Sequence, residues 1–122
     1  MLGRLHHVVI DCRDPASLAE FYSALLGRPV TYRTEDFCVV AESDQHSGLA
    51  FQHAPDHQAP TWPEVGVAQQ LHLDIMVEDV ASAGAEALRL GARHLAGAVY
   101  ADPAGHPFCL VPRPAWAAPL RP

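Results

Sequence analysis

Two similar stretches of the chain, LHHVVIDC at residues 5–12 and LHLDIMV at residues 71–77, combine branched apolar residues with polar residues that recur at alternate positions. Alternation with a period of two, in segments rich in branched apolar residues, predicts a β-strand with one buried face. An aspartate follows each stretch, Asp14 or Asp79, and apolar residues at helical spacing come next. Because aspartate is a favoured helix N-cap, the pattern predicts a strand and then a helix, twice.

Three short strand-like segments follow each predicted helix. After the first helix, which Gly27 ends, they are residues 30–34, 37–42 and 49–53. After the second helix, which Gly91 ends, they are residues 94–95, 99–101 and 107–111. Glycine just beyond the last helical residue is a common C-terminal cap. The order β-α-β-β-β is therefore predicted to occur twice.

Residue matches at a constant offset of 65 support an internal repeat. The matching pairs are His7 and His72, Ile10 and Ile75, Asp14 and Asp79, Ala16 and Ala81, and Ser17 and Ser82. We expect an α+β fold with one domain over residues 1–122. Its parts are module one at about 4–54, a linker at 55–69, module two at about 70–112 and an extended tail at 113–122, with Trp116 as a candidate anchor of that tail.

Charge and cysteine content narrow the class of protein. The chain has 122 residues, 49% of them hydrophobic, and a net charge of −6. A nucleic-acid-binding protein needs a basic face, and an anionic membrane surface also attracts basic proteins, so neither partner is expected. The sequence shows no signal peptide and no apolar run of membrane-spanning length, and its three cysteines form no CxxC pair. These features predict a cytoplasmic protein with reduced thiols.

Strand parity sorts the polar residues of the predicted strands onto one side of each sheet. Side chains alternate between faces, so Val8, Ile10 and Cys12 share the face that packs on the helix. His7, Val9 and Asp11 lie on the other face. The same rule applies to His72 and Asp74 in the second module. If both modules contribute to one curved sheet, four side chains converge in its hollow, namely His7, Gln52, His72 and Cys109.

The chain resembles the vicinal oxygen chelate superfamily, which includes glyoxalase I, extradiol dioxygenases and bleomycin-resistance proteins. The matching stretches are HHVVIDCRDPASLAEFYSALLG, LAFQHAPD, QQLHLDIMVEDVASA and VYADPAGHPFCLV. They cover most of the chain from Leu5 to Val111, and the small glyoxalase-like proteins show the greatest similarity. The resemblance implies the glyoxalase/bleomycin resistance fold, in which paired βαβββ modules form a cup-shaped mixed sheet around a ligand, and it implies a homodimer.

In metal-using members of this superfamily, the first and fourth strands of each module supply the ligands. The resemblance places that set here on His7, Gln52, His72 and Cys109, around one divalent ion such as Zn, Fe, Ni or Mn, with no nucleotide cofactor. The sequence departs from the pattern because glutamate is common at the fourth-strand positions, where this chain has Gln52 and Cys109. An amide oxygen is a weak ligand, so a metal-free cup is the alternative.

Further candidates would act beside these four residues. Asp11 and Asp74 are candidate general bases, with solvated or salt-bridged carboxylates as the alternative. Trp62, in the linker, and Tyr100 are candidate walls of a ligand site, together with Phe37. Cys109 can equally be a small buried hydrophobic residue, because a reactive thiolate needs a nearby positive charge or metal.

Two functional hypotheses follow. The first is a metal-dependent lyase, isomerase or dioxygenase of the glyoxalase type that acts on a small organic molecule through His7 and His72. The second is a metal-free protein that binds or sequesters a small molecule, as resistance proteins of the superfamily do. The absence of ligand glutamates favours the second hypothesis, and the paired histidines favour the first.

Overall fold

A computed structural model describes residues 1–121 and divides the chain into two compact units, which we call module one (Met1–His57) and module two (from Gln58 onward). The boundary between them falls inside the predicted linker. Module one contains β1 (His7–Cys12), α1 (Pro15–Leu26), β2 (Val30–Arg33), β3 (Phe37–Val40) and β4 (Gly48–His53). Module two contains β5 (Leu73–Val77), α2 (Val80–Arg89), β6 (Arg93–Ala96), β7 (Val99–Ala101) and β8 (Pro107–Pro112).

The two modules share one topology. The strand order is β1-β4-β3-β2 in the first sheet and β5-β8-β7-β6 in the second. In each sheet the first strand pairs parallel with the last strand, and the other pairs are antiparallel. The predicted α+β class and the repeated β-α-β-β-β order are therefore confirmed. Strands β1 and β5 each lie at an edge of their sheet.

The core of module one lies between α1 and one face of its sheet. Ile10 and Cys12 of β1 are buried there, and the ring of Phe51 stacks on Tyr22 of the helix with centroids 5.4 Å apart. The helix begins at Asp14, whose carboxylate accepts a hydrogen bond from the Ser17 N–H at 3.1 Å. These contacts confirm the predicted capping by Asp14 and the predicted burial of Ile10 and Cys12. Val8, predicted on the same face, is 37% exposed because β1 lies at the edge of the sheet.

The core of module two depends on a close approach between α2 and its sheet. Tyr100 of β7 is 9% exposed and stacks on Phe108 of β8, with ring centroids 5.9 Å apart. Its hydroxyl lies against Gly84 of α2, where any Cβ would overlap the hydroxyl oxygen. Glycine at this helical position therefore lets the helix approach the tyrosine.

The turn between β7 and β8 is organised by Asp102, whose side chain is fully buried. Its Oδ1 accepts hydrogen bonds from the backbone N–H of Ala104 at 2.9 Å and of His106 at 3.0 Å. The Nδ1 atom of His106 lies 3.0 Å from Oδ2 of the same carboxylate. The predicted DPAG turn is thus confirmed, with its aspartate as the common acceptor.

The tail after β8 differs from the prediction. Trp116 is 84% exposed, so it does not anchor this segment. Glu78 does so instead, because its carboxylate accepts from Arg113 Nε at 2.9 Å and from the Leu120 N–H at 2.7 Å. These two bonds, the backbone bond first, lower the pKa of Glu78. A turn at residues 115–117 interrupts the extended path that the prolines suggested.

Two strands are shorter at their start than predicted. Strand β1 begins at His7, and β5 begins at Leu73 because its ladder with β8 starts at the pair of Leu73 and Phe108. Neither helix in residues 1–121 combines the length and the apolar character that a membrane span requires.

We expect Gly84→Ala to destabilise the protein although alanine favours helix formation. The new methyl group would overlap the Tyr100 hydroxyl, and overpacking of this kind costs about 1–3 kcal/mol. Chemical denaturation of the single variant and of Gly84→Ala/Tyr100→Phe measures the effect, and the double variant should recover most of the loss. A Gly84→Ala protein as stable as the wild type would contradict this packing.

We expect Asp102→Ala to lower the free energy of unfolding by about 2–4 kcal/mol, because it removes a buried carboxylate and leaves the partly buried backbone donors of Ala104 and His106 without their acceptor. Asp36→Ala is the matched control, since its exposed carboxylate lies 3.7 Å from His53 at the surface. Thermal and urea unfolding should show a clearly larger loss of unfolding free energy for Asp102→Ala than for Asp36→Ala. Equal losses in both would show that the Asp102 turn contributes no more than a surface contact.

Candidate functional site

One face of the module one sheet is turned away from α1 and carries most of the predicted polar residues of this module. We call it the open face of sheet one. Alternation and register place on it His7, Val9 and Asp11 of β1, Ala50 and Gln52 of β4, Phe37 and Val39 of β3, and Tyr32 of β2. The helix-facing set that includes Ile10, Phe51 and Cys38 is fully buried on the other side.

The register arranges the open face in three rows across the strands. In the His7 row, His7 lies opposite Gly48. The middle row consists of Val9, Ala50, Val39 and Tyr32, and the Asp11 row consists of Asp11, Gln52 and Phe37. Neighbouring strands are about 4.8 Å apart, so residues within a row can contact the same bound molecule.

The middle row is apolar. Its two central residues are buried and the residues at its two ends are exposed. Val39 is 4% exposed and Ala50 is fully buried, and Phe37 packs against this cluster. Val9 and Tyr32 are exposed, and the Tyr32 ring meets Phe37 edge-on with centroids 6.4 Å apart. The open face therefore presents an apolar strip between two rows that carry polar groups.

His7 is held in one tautomer by the backbone of the neighbouring strand. The Gly48 N–H donates a hydrogen bond to His7 Nδ1 at 3.1 Å, so this nitrogen carries a lone pair and the neutral ring carries its proton on Nε2. Burial lowers the pKa of His7, and the charge of the adjacent His6 lowers it further. The side chain is therefore a neutral donor through Nε2–H.

The register also separates His7 from Gln52. Gln52 lies opposite Asp11 and not opposite His7, so the two predicted metal ligands are four residues apart along the sheet. At about 3.3 Å per residue this separation is about 13 Å, which is too long for two ligands of one ion. The register does not bring this pair together in module one, and its metal-ligand role stays a prediction.

In module two, alternation places Asp74 and Cys109 on the corresponding face of the sheet, and His72 lies just before the start of β5. The Nε2 atom of His72 lies 3.5 Å from Oδ1 of Asp74, and both side chains are exposed. Cys109, partly exposed, lies opposite Asp74 in the parallel ladder. Tyr100 is on the other side, because it pairs with Phe108 and packs beneath α2. The predicted ligand-binding role of Tyr100 therefore has no exposed surface to support it.

Trp62 lies in a loop of module two that closes on itself. Thr61 Oγ1 accepts the Val67 N–H at 2.9 Å, and the Thr61 N–H donates to the Val67 carbonyl at 2.9 Å. Trp62 follows Thr61 in this loop and is half-buried. Val65, at the tip of the loop, is 97% exposed. These bonds close the loop around residues 61–67, and the ligand-binding role of Trp62 stays a prediction.

The side chains present do not fit the divalent metal that the resemblance implies. Metal-bound histidine usually donates its second ring N–H to a neighbour, whereas Nδ1 of His7 accepts a hydrogen bond from an amide. Among residues 1–121, no group of three or more His, Cys, Asp or Glu side chains is placed to hold an ion. The convergence of His7 and His72 in one hollow stays a prediction.

Asp11 and Asp74, the predicted general bases, are both exposed, each on the face of its own sheet that is turned away from the helix. Their proton-transfer roles also stay predictions. Sequence reasoning missed Tyr32 and Gly48. The alternation within residues 30–34 could have indicated Tyr32, whereas the Gly48 N–H donor carries no signal in a sequence.

Comparisons with known proteins agree with this architecture. The family model of the glyoxalase-like domain matches residues 7–111. A glyoxalase/bleomycin resistance protein/dioxygenase family enzyme from Burkholderia phytofirmans PsJN is 17% identical with a TM-score of 0.71, covering 90% of this chain and 98% of that one. A glyoxalase-related enzyme from Fulvimarina pelagi is 19% identical with a TM-score of 0.68, covering 95% and 92%.

A glyoxalase/bleomycin resistance protein from Albidiferax ferrireducens T118 is 16% identical with a TM-score of 0.62, covering 90% of this chain and 98% of that one. No curated protein matches the chain significantly. The fold is that of the glyoxalase/bleomycin resistance proteins, and the chain is a member of the vicinal oxygen chelate superfamily. Within that superfamily it belongs to the glyoxalase-like domain family.

We expect His7 to titrate below the ordinary histidine pKa of 6.5 and to remain in the Nε2–H tautomer when neutral. As pH falls below 6.5 the unfolded chain takes up this proton first, so the stability that neutral His7 contributes is complete above that pH and decreases below it. Long-range ¹H–¹⁵N NMR titration reads both properties directly.

His6→Ala is the informative variant for this titration, because removing the neighbouring charge should raise the His7 pKa part of the way back. An Nδ1–H tautomer in the wild type would contradict the described hydrogen bond, and a His7 pKa above 6.5 would contradict the effects of burial and of His6.

Proposed function

We infer that this protein binds a small organic molecule on the open face of sheet one, and that it does so without a metal ion. The observation that carries this proposal is the hydrogen bond from the Gly48 N–H to His7 Nδ1. That bond leaves the histidine as a donor to a ligand through Nε2–H. A metal would need a lone pair on Nε2 and hence a proton on the nitrogen that already accepts.

The form of the face supports small-molecule binding. Ligand sites combine apolar surface with a few polar groups that fix orientation. Here Val9, Ala50 and Val39 supply the apolar surface, and His7 and Gln52 stand on either side of it. Val9 is 43% exposed and Gln52 is exposed, so a molecule can reach both of them.

The arrangement of the predicted metal-ligand side chains disfavours the metal-dependent lyase, isomerase or dioxygenase that the resemblance suggested. The register separates His7 from Gln52, and His72 lies next to the Asp74 carboxylate. One of the similar structures belongs to a family whose name includes dioxygenases. At 17% identity that likeness extends to the fold and does not extend to the reaction.

We further propose a homodimer that forms through exposed sheet edges. β1 lies at the edge of its sheet, and Val8 and Val9 on its two faces are 37% and 43% exposed. An edge strand with open backbone groups and apolar side chains favours pairing with another chain.

A reducing, cytoplasmic location completes the proposal. Cys12, Cys38 and Cys109 are reduced cysteines in the structure, and Cys12 and Cys38 are buried on the helix side of sheet one. Free thiols are typical of proteins from reducing compartments.

Elemental analysis tests the metal-free assignment. We expect wild-type protein from metal-supplemented cultures to contain far less than one ion of Zn, Fe, Ni or Mn per chain. The His7→Ala/His72→Ala double variant should give the same content. One ion per chain in the wild type that disappears in the double variant would overturn the assignment.

A pair of valine variants tests the location of the site. A panel of aromatic carboxylic acids and aromatic amines can be screened by ligand-observed NMR in the presence of EDTA. Val9→Arg would cover the apolar strip and should abolish the binding that the wild type shows. Val8→Arg is the matched control on the opposite face of the same strand, and it should leave that binding intact. Equal effects of the two variants would place the binding elsewhere.

A further inference from the structure

We propose that the open face of sheet one contains a subsite for a planar aromatic ring that carries an N–H donor next to a carbonyl acceptor, as an aromatic lactam does. Gln52, Phe37 and Tyr32 form this subsite. The inference rests on the proposed function and adds the chemical class of the ligand. It follows from the strand register, which sets a side-chain amide beside two aromatic rings on one face of the sheet.

The side chain of Gln52 supplies the polar part of the subsite. The residue is exposed, and its backbone is bonded in the ladders with β1 and β3. Within residues 1–121 the side-chain amide has no hydrogen-bond partner. A primary amide presents a carbonyl acceptor and an N–H donor side by side. The group that pairs with both at once is a second donor and acceptor in the same arrangement, which a lactam provides.

Asp11 does not take this role, although it lies next to Gln52 in the same row. It is already engaged in an interaction within the protein, and Gln52 does not take part in that interaction. A ligand in this row therefore meets the uncharged amide of Gln52, and pairing with that amide requires no charge on the ligand. An uncharged lactam satisfies this condition.

Two aromatic rings beside Gln52 supply the apolar part of the subsite. Phe37 lies opposite Gln52 in the antiparallel ladder, so the two side chains are cross-strand neighbours about 5 Å apart at their Cβ atoms. The Tyr32 ring meets the Phe37 ring at 67° with centroids 6.4 Å apart, and Tyr32 is 55% exposed. Rings at such an angle form a corner in which a third ring stacks on one and meets the edge of the other.

The corner is fixed on one side, because Phe37 packs against buried apolar residues of the same face. A ring that rests on Phe37 has its edge near the Gln52 amide, since the two residues share a row. The aromatic contact and the amide pairing are therefore available to one rigid molecule. This combination selects a flat ring system that carries its donor and acceptor on one edge.

The corresponding row of module two has a different character. There Asp74 is followed across the sheet by Cys109, Val99 and Ala96. None of these four side chains is an amide or an aromatic ring. The subsite is accordingly a property of module one.

Isoquinolin-1(2H)-one is a suitable probe, because it is a flat aromatic lactam without charge. Two methylated isomers, 2-methylisoquinolin-1(2H)-one and 1-methoxyisoquinoline, keep the rings and remove the N–H donor. Piperidin-2-one keeps the lactam and removes the aromatic rings. Titration of ¹⁵N-labelled protein with each compound in EDTA, followed by ¹H–¹⁵N NMR, gives the dissociation constants and the residues affected.

We expect isoquinolin-1(2H)-one to bind wild-type protein about fivefold more tightly than either methylated isomer, which is the usual net contribution of one hydrogen bond. Piperidin-2-one should bind more weakly by at least the same factor, because it has no ring to place in the aromatic corner. The largest shift changes for the lactam should occur at Gln52 and its neighbours in the row.

Gln52→Leu should remove the preference for the lactam over its methylated isomers while the isomers still bind. Gln45→Leu makes the same substitution in the loop between β3 and β4, where the side chain donates to Asp44, and it should leave the preference unchanged. Tyr32→Ala should weaken the three aromatic compounds by a similar factor and keep the preference among them. A ratio of affinities is measured in each variant, so a general loss of stability does not imitate the result.

Equal affinities of the lactam and its methylated isomers for wild-type protein, or no binding of the lactam, would overturn this ligand class. A preference that survives in Gln52→Leu, or that is lost equally in Gln45→Leu, would also overturn it. The proposed function stands on a separate result, the loss of aromatic-compound binding in Val9→Arg but not in Val8→Arg. Failure of the ligand class and failure of the proposed function are therefore distinguishable.

Discussion

The parallel pairing of β1 with β4 is the constraint on which the candidate site depends. This ladder aligns His7 with Gly48 and Asp11 with Gln52, and it therefore decides which side chains can meet. A shift by one residue would turn every one of these side chains to the other face. The buried stack of Phe51 on Tyr22 holds β4 in its present orientation, so packing beneath the helix fixes the chemistry of the open face.

Alternation along the sequence was sufficient to assign faces in module one. It placed Ile10 and Cys12 in the core and His7 on the opposite side, and the structure agrees. Alternation carries no information about the partner strand, however. The position of Gln52 relative to His7 depends on the register of two strands far apart in sequence, so the sequence could not show that the two side chains lie in different rows.

Other parts of the structure depended on contacts that a sequence does not display. Tyr100 lies on a strand of three residues, too short to show a period, and its face follows from pairing with Phe108. Trp116 was predicted to anchor the tail because it is large and apolar, but it is exposed. Hydrogen bonds to Glu78 attach the tail instead. The DPAG turn was predicted correctly, because its aspartate and proline act over a few neighbouring residues.

The attachment of the tail at Glu78 bears on how this chain can be shortened. Glu78 directly precedes Asp79, the cap of α2, so two adjacent carboxylates bind the segment after β8 at Leu120 and the first turn of a helix. A truncation that removes Leu120 would delete a backbone donor to Glu78 without touching any strand. Residues 113–120 therefore belong to the folded unit, and a shortened version of the protein should retain them.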